Sequence, residues 1–440
     1  MKPIPVLLLL CLAIGSPIRA DEPAPAASLT LAQALDAVLA RYPSLDAAQA
    51  AIDSARGRTV QSQADRLPQV SGAAAYSYMS LRPYVAFPGP GGASSSFYET
   101  VQNSYDARIS ARQLLSDFGR TDALVALARS GEISARDALE QARSQLGYQT
   151  IQAYFGVLLL RSSVSVADEE IRALDEALRI AERKFNGGTA TRFDVLTTQV
   201  RLATAHNNRT DTQASLEKQE AALRQLLGYG PGAPLALAGD FGAPGEMPDL
   251  SSTIAAGLRN RPEMKLARDS ADTAGTRLDA ANRENRPTLA ANAAAGVEDG
   301  QLPEMYSNKG YVVAGLSVSV PIFTGQRITG QRIEARADLR AAQSREEELN
   351  RTIATDVSDA VSDLRAALSR LANSDALVAQ ADEALNLAKT RYANGVITNF
   401  ELLDAQSNAR SAELARLQAR YDCVIARHAV SRAAGEPPAP

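Results

Sequence analysis

The sequence predicts a mainly α-helical chain built twice over, each half a pair of strands followed by a long antiparallel coiled-coil hairpin. Three observations predict it. The chain repeats itself once; long proline-free stretches carry an apolar stripe at three- and four-residue spacing; and four short segments alternate polar with apolar residues. Alanine is abundant, tryptophan is absent and aromatics make up only 5% of the chain, so closely approaching helices are favoured over a bulky globular core.

Residues 1–20 read as a signal peptide. Lys2 supplies a positive start, Val6 to Ile14 an apolar run too short to span a bilayer, and Ile18-Arg19-Ala20 a small-residue cleavage site. Cys11 lies in this region, but it follows Leu10 rather than a small residue. The expectation is export, cleavage after Ala20 and no lipid anchor. Cleavage leaves Cys423 without an internal disulfide partner, so stability must come from packing or oligomerisation. It also removes Lys2 and Arg19, leaving 44 basic against 50 acidic residues, a net charge of −6. That excludes the basic footprint of a nucleic-acid binder. No mature stretch approaches the roughly 18 uninterrupted apolar residues of a transmembrane helix, whereas the weaker signal of a β-barrel remains open.

The repeat organises the remainder. Tyr42-Pro43 aligns with Arg261-Pro262 at an offset of 219, which also pairs Ala55 with Ala274, Arg58 with Arg277 and Pro68 with Pro287. Farther along the offset is 207: Lys184-Phe185-Asn186-Gly187-Gly188 lies against Arg391-Tyr392-Ala393-Asn394-Gly395, and Phe193-Asp194-Val195-Leu196 against Phe400-Glu401-Leu402-Leu403. The change implies a 12-residue insertion between Tyr78 and Tyr105, where Pro83, Pro88, Gly89, Pro90, Gly91 and Gly92 mark a surface loop. Two units follow, 21–247 and 248–440, each reading helix, strand, loop, strand, long helix, tight turn, helix.

Strands are expected at about 69–80 and 104–115, and again at about 288–298 and 311–321. Tyr105, Ala107, Ile109 and Ala111 interleave with Asp106, Arg108, Ser110 and Arg112; Val312, Ala314, Leu316 and Val318 interleave with Val313, Gly315, Ser317 and Ser319. Such alternation fits a soluble sheet with one side against helices, or a membrane barrel. Segments of about ten residues and a charged second face favour the barrel. Four strands cannot close one, so a barrel requires an oligomer.

No proline interrupts Arg120 to Phe185, or Ile328 to Tyr392. Each run carries a matching stripe, Ile171, Leu174, Leu178, Ala181 and Phe185 against Val378, Ala381, Leu385, Ala388 and Tyr392, which is the seam of a coiled coil. Asn186-Gly187-Gly188 and Asn394-Gly395 supply left-handed helix stops, placing tight turns at 186–192 and 393–399.

These features together resemble the TolC-like outer-membrane efflux proteins, over nearly all of the mature sequence. The resemblance rests on the two-fold repeat, Pro68 and Pro287 ahead of strands, and Val320-Pro321-Ile322-Phe323-Thr324-Gly325 leaving one. It rests also on the tips, Gly188 through Phe193-Asp194-Val195-Leu196 and Gly395 through Phe400-Glu401-Leu402-Leu403-Asp404. It implies a homotrimer whose strands close a 12-stranded barrel in outer-membrane lipid, standing on an α-helical tunnel across the periplasm. It implies that the tips, with Gly187, Gly188, Asn394 and Gly395 at their turns, dock a periplasmic adaptor and an inner-membrane ABC or RND transporter. By position, Tyr392 and Asp194 resemble a closing hydrogen-bonded pair, and Glu401 with Asp404 an acidic constriction. Residues three apart share a helix face, which supports the second assignment independently, and crowded carboxylates should raise one another's pKa values. The alternatives are a seam residue for Tyr392 and plain helix-N-terminal acids for Glu401 and Asp404. The sequence departs from the family where a basic residue can follow the tip glycine: Ile397 stands there.

Catalytic chemistry lacks its parts. His206 and His428 are far apart, no phosphate-binding glycine loop precedes a lysine, and no cofactor is expected. The reading is therefore a passive exit duct, for type I secretion of polypeptides or efflux of drugs and metabolites, with the expected absence of a lipid anchor leaning toward secretion. The competing reading is a non-channel coiled-coil adhesin or a periplasmic adaptor, which two hairpins, each preceded by a strand pair, disfavour.

Overall fold

The computed structural model of the chain describes residues 28–439, apart from 82–83, 89, 91–93, 99–101, 244 and 300–308. The expected signal peptide, its cleavage site and any anchor at Cys11 lie outside the described residues.

Each half opens with a short helix, a proline and a second helix. In the first half these are α1 (Leu31–Arg41) and α2 (Pro43–Ala64). A capping box at Thr30 starts α1, and Pro43 starts α2, where a missing N–H costs no helix bond. Strands β1 (Gln69–Tyr78), β2 (Tyr84–Pro88), β3 (Ser94–Tyr98) and β4 (Asn103–Ser116) follow, then α3 (Arg120–Asn186) and α4 (Arg192–Leu227). The second half holds α5 (Leu250–Asn260), α6 (Pro262–Arg283), β5 (Thr288–Glu298), β6 (Lys309–Ser319), α7 (Arg327–Ala393) and α8 (Asn399–Ala433). One expectation is corrected: the insertion read as a plain loop carries the antiparallel pair β2–β3.

The long helices α3 and α7 each have 67 residues, about 100 Å at 1.5 Å per residue. Both are entered through two successive left-handed residues, Phe118 and Gly119 in one half and Gly325 and Gln326 in the other. The repeat thus extends to backbone conformation at sites where the side chains differ.

Strands β1, β4, β5 and β6 form one antiparallel sheet in the order β1-β4-β5-β6. Its register segregates the two faces. Val70 lies opposite Ala111, Tyr76 opposite Tyr105, Ala107 opposite Val297, and Ala291 opposite Leu316. Ser71 and Ser110 bond across the other face at 2.9 Å, where Asp106 also faces Glu298. The apolar face is uncovered: Val70, Tyr76, Ile109, Val312, Leu316 and Val318 are all exposed. A bulge at Leu114–Ser116 bends β4 where sheet gives way to helix.

The core lies in the helical part, in two large centres and a small third one near the tips, where Leu174, Ala177 and Ala205 pack with Leu403. Ile151, Tyr154 and Val157 of α3 pack with Leu223 of α4 and with Leu35 and Val38 of α1. The buried Tyr154 hydroxyl donates to the carbonyls of Leu29 (2.9 Å) and Ala238, which bracket the parallel bridge between Leu29 and Leu237. In the second half Ile353, Val357, Val361 and Leu364 of α7 pack against Met264 of α6 and Cys423, Ala426 and Val430 of α8. Cys423 is buried and unpaired. His428 is buried beside Phe155, and burial, aided by the Arg427 charge, pushes its pKa down to about 4. It is a neutral packed residue.

Candidate functional site

The two hairpin tips are built by the same local chemistry. At the first, Gly188 takes φ 73°, and the Thr189 N–H bonds back to the Lys184 carbonyl at 2.8 Å. At the second, Gly395 takes φ 72°, and the Val396 N–H reaches the Arg391 carbonyl at 2.9 Å. A side chain with a Cβ resists this left-handed geometry. The next helix then begins with a capping box. Asp194 Oδ2 accepts from the Thr191 N–H (2.9 Å) and hydroxyl (2.7 Å), while the Asp194 N–H donates to Thr191 Oγ1 at 3.2 Å. Glu401 repeats the pattern on Thr398, with its Oε2 accepting at 2.7 Å and 2.8 Å.

This capping decides what the carboxylates can do. Bonds from the Thr398 N–H and hydroxyl hold the exposed Glu401 carboxyl below the usual range. Asp404 is exposed on the same helix face, and its Oδ2 accepts from Asn408 Nδ2 at 3.1 Å. Asp194 and Tyr392 are neighbours but do not form the expected hydrogen bond, because the Asp194 carboxylate is turned onto its own cap. Tyr392 is buried at the meeting of the hairpins. Burial raises the pKa of its hydroxyl, and the Asp194 charge raises it further.

Three other residues tie the tips together. Lys184 donates to the Tyr392 carbonyl at 2.8 Å and holds its ammonium 3.7 Å from the centre of the Tyr392 ring. The buried Asn399 donates to Thr198 Oγ1 (3.0 Å) and to the Asp194 carbonyl (3.2 Å). Arg201 donates to the Leu403 carbonyl at 3.1 Å and lies over the Phe400 ring at 5.7 Å. Sequence reasoning missed Lys184, Asn399 and Arg201. The available signal was a break in the repeat: Asn399 stands where the first tip has Arg192. With Ile397 in place of a basic residue on the second hairpin, the cations at this contact come from the first. Behind the tips the hairpins part around a cavity of about 780 Å³, beside which Glu170 and Arg410 pair at 2.8 Å. Burial raises the Glu170 pKa, opposed by the Arg410 charge.

Among the described residues no cluster of histidine, cysteine or carboxylate side chains is arranged to hold a metal. The arrangement instead offers a pair of hairpins linked by a few polar contacts, joined to a sheet with one mostly apolar, largely exposed face.

Known proteins share this plan. A family model described as outer membrane efflux protein matches residues 34–229 and 254–436. The chain is 27% identical to the alkaline protease secretion protein AprF of Pseudomonas aeruginosa over 344 residues, 74% of this chain and 68% of that protein. It is 24% identical to the outer membrane protein TolC of Escherichia coli over 406 residues, 89% and 79% of the two. The crystal structure of the outer membrane protein VceC of Vibrio cholerae superposes with a TM-score of 0.75 at 20% identity, covering 92% of this chain and 95% of that one. Repeated hairpins, the amphipathic sheet and a family match across both halves converge on one assignment: this chain is an outer-membrane protein, not an enzyme, and it belongs to the outer membrane efflux protein family.

Proposed function

We propose that three copies of this chain form an outer-membrane exit duct, closed at the hairpin tips and opened when it docks a periplasmic adaptor and an inner-membrane transporter. The observation that carries this reading is the sheet. Edge strands β1 and β6 lack a second partner among the described residues, while one face is mostly apolar, with Val70, Tyr76, Ile109, Val312, Leu316 and Val318 exposed on it. Unpaired edges in lipid are costly, so the sheet must close, and three four-stranded sheets joined edge to edge give twelve strands. The α3–α4 and α7–α8 hairpins then continue the barrel as a tunnel, and the two units 21–247 and 248–440 each contribute a strand pair and a hairpin.

The tips supply gate and docking surface. Three copies of Glu401 and Asp404 ring the axis as a cation-attracting constriction. Lys184, Asn399, Arg201 and Tyr392 hold the second hairpin against the first, and the hollow around Glu170–Arg410 gives the hairpins room to part. Phe193, Leu196 and Val200 are exposed along one side of α4, close to the turn at Gly187 and Gly188. An apolar stripe at that spacing suits the helical hairpin of an adaptor. Polypeptide secretion and small-molecule efflux both fit; similarity to a protease secretion protein favours secretion, and the family description favours efflux.

Planar-bilayer recording of the purified full-length protein tests the reading. Cation-selective steps are expected, and Glu401→Ala/Asp404→Ala is expected to keep the conductance and lose the selectivity. Unchanged selectivity in that variant would remove the acidic ring. A protein that stays monomeric without detergent and never conducts would remove the duct.

A further inference from the structure

The polar face of the sheet carries an unbalanced charge at its helical end. Asp106, Arg108 and Arg112 of β4 share that face with Glu298 and Lys309. At the outer end the charges compensate one another: Arg108 lies 3.6 Å from Asp106, the Tyr311 hydroxyl donates to Asp106 at 3.5 Å, and Glu298 faces Lys309 across the strands. Arg112 stands apart. Six residues along a strand span roughly 20 Å, beyond the screening length of about 8 Å at physiological salt, so the outer acids do not neutralise it.

Its immediate surroundings form no ion pair with it either. Arg112 is exposed and lies opposite the neutral Gln69 and Asn292. Among the described residues it has no ion pair or hydrogen bond. Three acids around the base of the sheet are committed elsewhere: Asp117 accepts from the Thr121 and Gly119 N–H groups at 2.6 Å and 3.1 Å, Glu284 pairs with Arg120 at 2.8 Å, and Asp122 pairs with Arg66. Arg112 opens onto a cavity of about 280 Å³ where Gln69 and Thr288 add neutral hydrogen-bonding groups; Asp65, on its wall, stays beyond ion-pairing distance.

We propose that Arg112 is a binding station for anionic oxyacid groups, carboxylate or phosphate, carried by cargo leaving the tunnel. This rests on the trimeric duct reading, which turns the polar face inward and repeats Arg112 three times around the barrel floor. A guanidinium presents a planar fork of donors that matches either oxyacid, and a ring of three favours a polyanion. The acidic tips lie a helix length away, about 100 Å at 1.5 Å per residue, so the two fields act independently. The duct then has an acidic entrance and a basic ring at the floor of the barrel.

The test is block of the reconstituted full-length channel by myo-inositol hexakisphosphate added from the barrel side, with citrate in a second arm to separate phosphate from carboxylate. Arg112→Gln, which removes the guanidinium from all three copies, is expected to raise the half-blocking concentration at least about tenfold, the loss of at least one charge-assisted hydrogen bond, and Arg112→Lys to preserve most of the block. Asn292→Asp, which sets a counter-charge on the facing strand, is expected to weaken the block with Arg112 intact, and covers the case in which Arg112→Gln does not assemble. Channels that conduct but are blocked equally in wild type, Arg112→Gln and Asn292→Asp would overturn the station and leave the duct standing. Absence of any conductance would overturn both.

Discussion

The two tips are the same turn in different surroundings. Each ends its helix on a left-handed glycine and restarts it on a threonine capping box, with Thr191 and Asp194 in one and Thr398 and Glu401 in the other. Equivalent side chains nonetheless meet different fates. Phe185 is 43% exposed and Leu196 49%, while their counterparts Tyr392 and Leu403 are 6% and 1% exposed. Arg192 is exposed, whereas Asn399 is buried and bonded across to the first hairpin. Turn geometry is thus settled within about ten residues of chain, and the asymmetry arises where the hairpins pack. The second tip is gripped by the first, which leaves its own apolar residues outward. The proposed gate relies on such a difference, because two equally buried tips would have no surface left for the proposed partner.

The largest test of this contrast is truncation at the paired leucines. Leu403→Ala leaves a cavity beneath the second tip and is expected to cost about 2–5 kcal/mol, seen as faster hydrogen exchange of the tip amides in the detergent-solubilised assembly. Leu196→Ala, at the exposed equivalent, is expected to stay within about 0.5 kcal/mol of wild type. Equal losses at both would mean that the first tip is also packed in the assembled protein. A smaller contrast separates Asn399 from Arg192. Asn399→Ala removes the donor to Thr198, and that hydroxyl keeps its bond to the Asp194 carbonyl, so no new buried donor is stranded. The expected effect is about 1 kcal/mol, roughly a fivefold rise in the open-to-closed ratio of single channels. Arg192→Ala is expected to leave that ratio unchanged, and a matching rise there would dissolve the distinction between the tips.

The features legible in the sequence are those decided by local chemistry or by period. The proline after each short helix and the glycine stops each act over a few residues, and the heptad stripe fixes which helix faces meet. The pair β2–β3 was hidden because Tyr84–Pro88 and Ser94–Tyr98 are bracketed by proline, glycine and serine, which read as loop whether or not the backbones pair. The bulge at Leu114–Ser116 has no residue signature. The cross-links at the tips were beyond reach for a different reason. Lys184 and Tyr392 are 208 residues apart, and their contact depends on how two finished hairpins approach. Asp194 shows the same limit in reverse: position pointed to a bond with Tyr392, and the nearer Thr191 took the carboxylate.

The finest contrast concerns the two caps themselves and turns on pH. Bonds from Thr398 favour ionised Glu401, so its folded pKa lies below the value of 4.5 for a free side chain. A depressed carboxyl pKa means that the cap's stabilisation is fully present above about pH 4.5 and is lost as pH falls through the lower folded value. In an Asp404→Ala background, where Glu401 is the remaining acid of the proposed ring, cation selectivity is therefore expected to persist below pH 4.5. Thr398→Val removes the hydroxyl donor, and selectivity should then fade at a higher pH; Thr191→Val, at the other tip, should leave that pH unchanged. Two forces compete at Glu401 in the assembly, because the cap lowers the pKa and the like charges of neighbouring copies raise it. A wild-type midpoint above 4.5 would mean that repulsion around the axis outweighs the cap, which requires the three carboxylates to crowd together in the closed gate. A midpoint below it, moved upward by Thr398→Val alone, would make the acidic ring first of all a set of helix caps whose outward charge attracts cations.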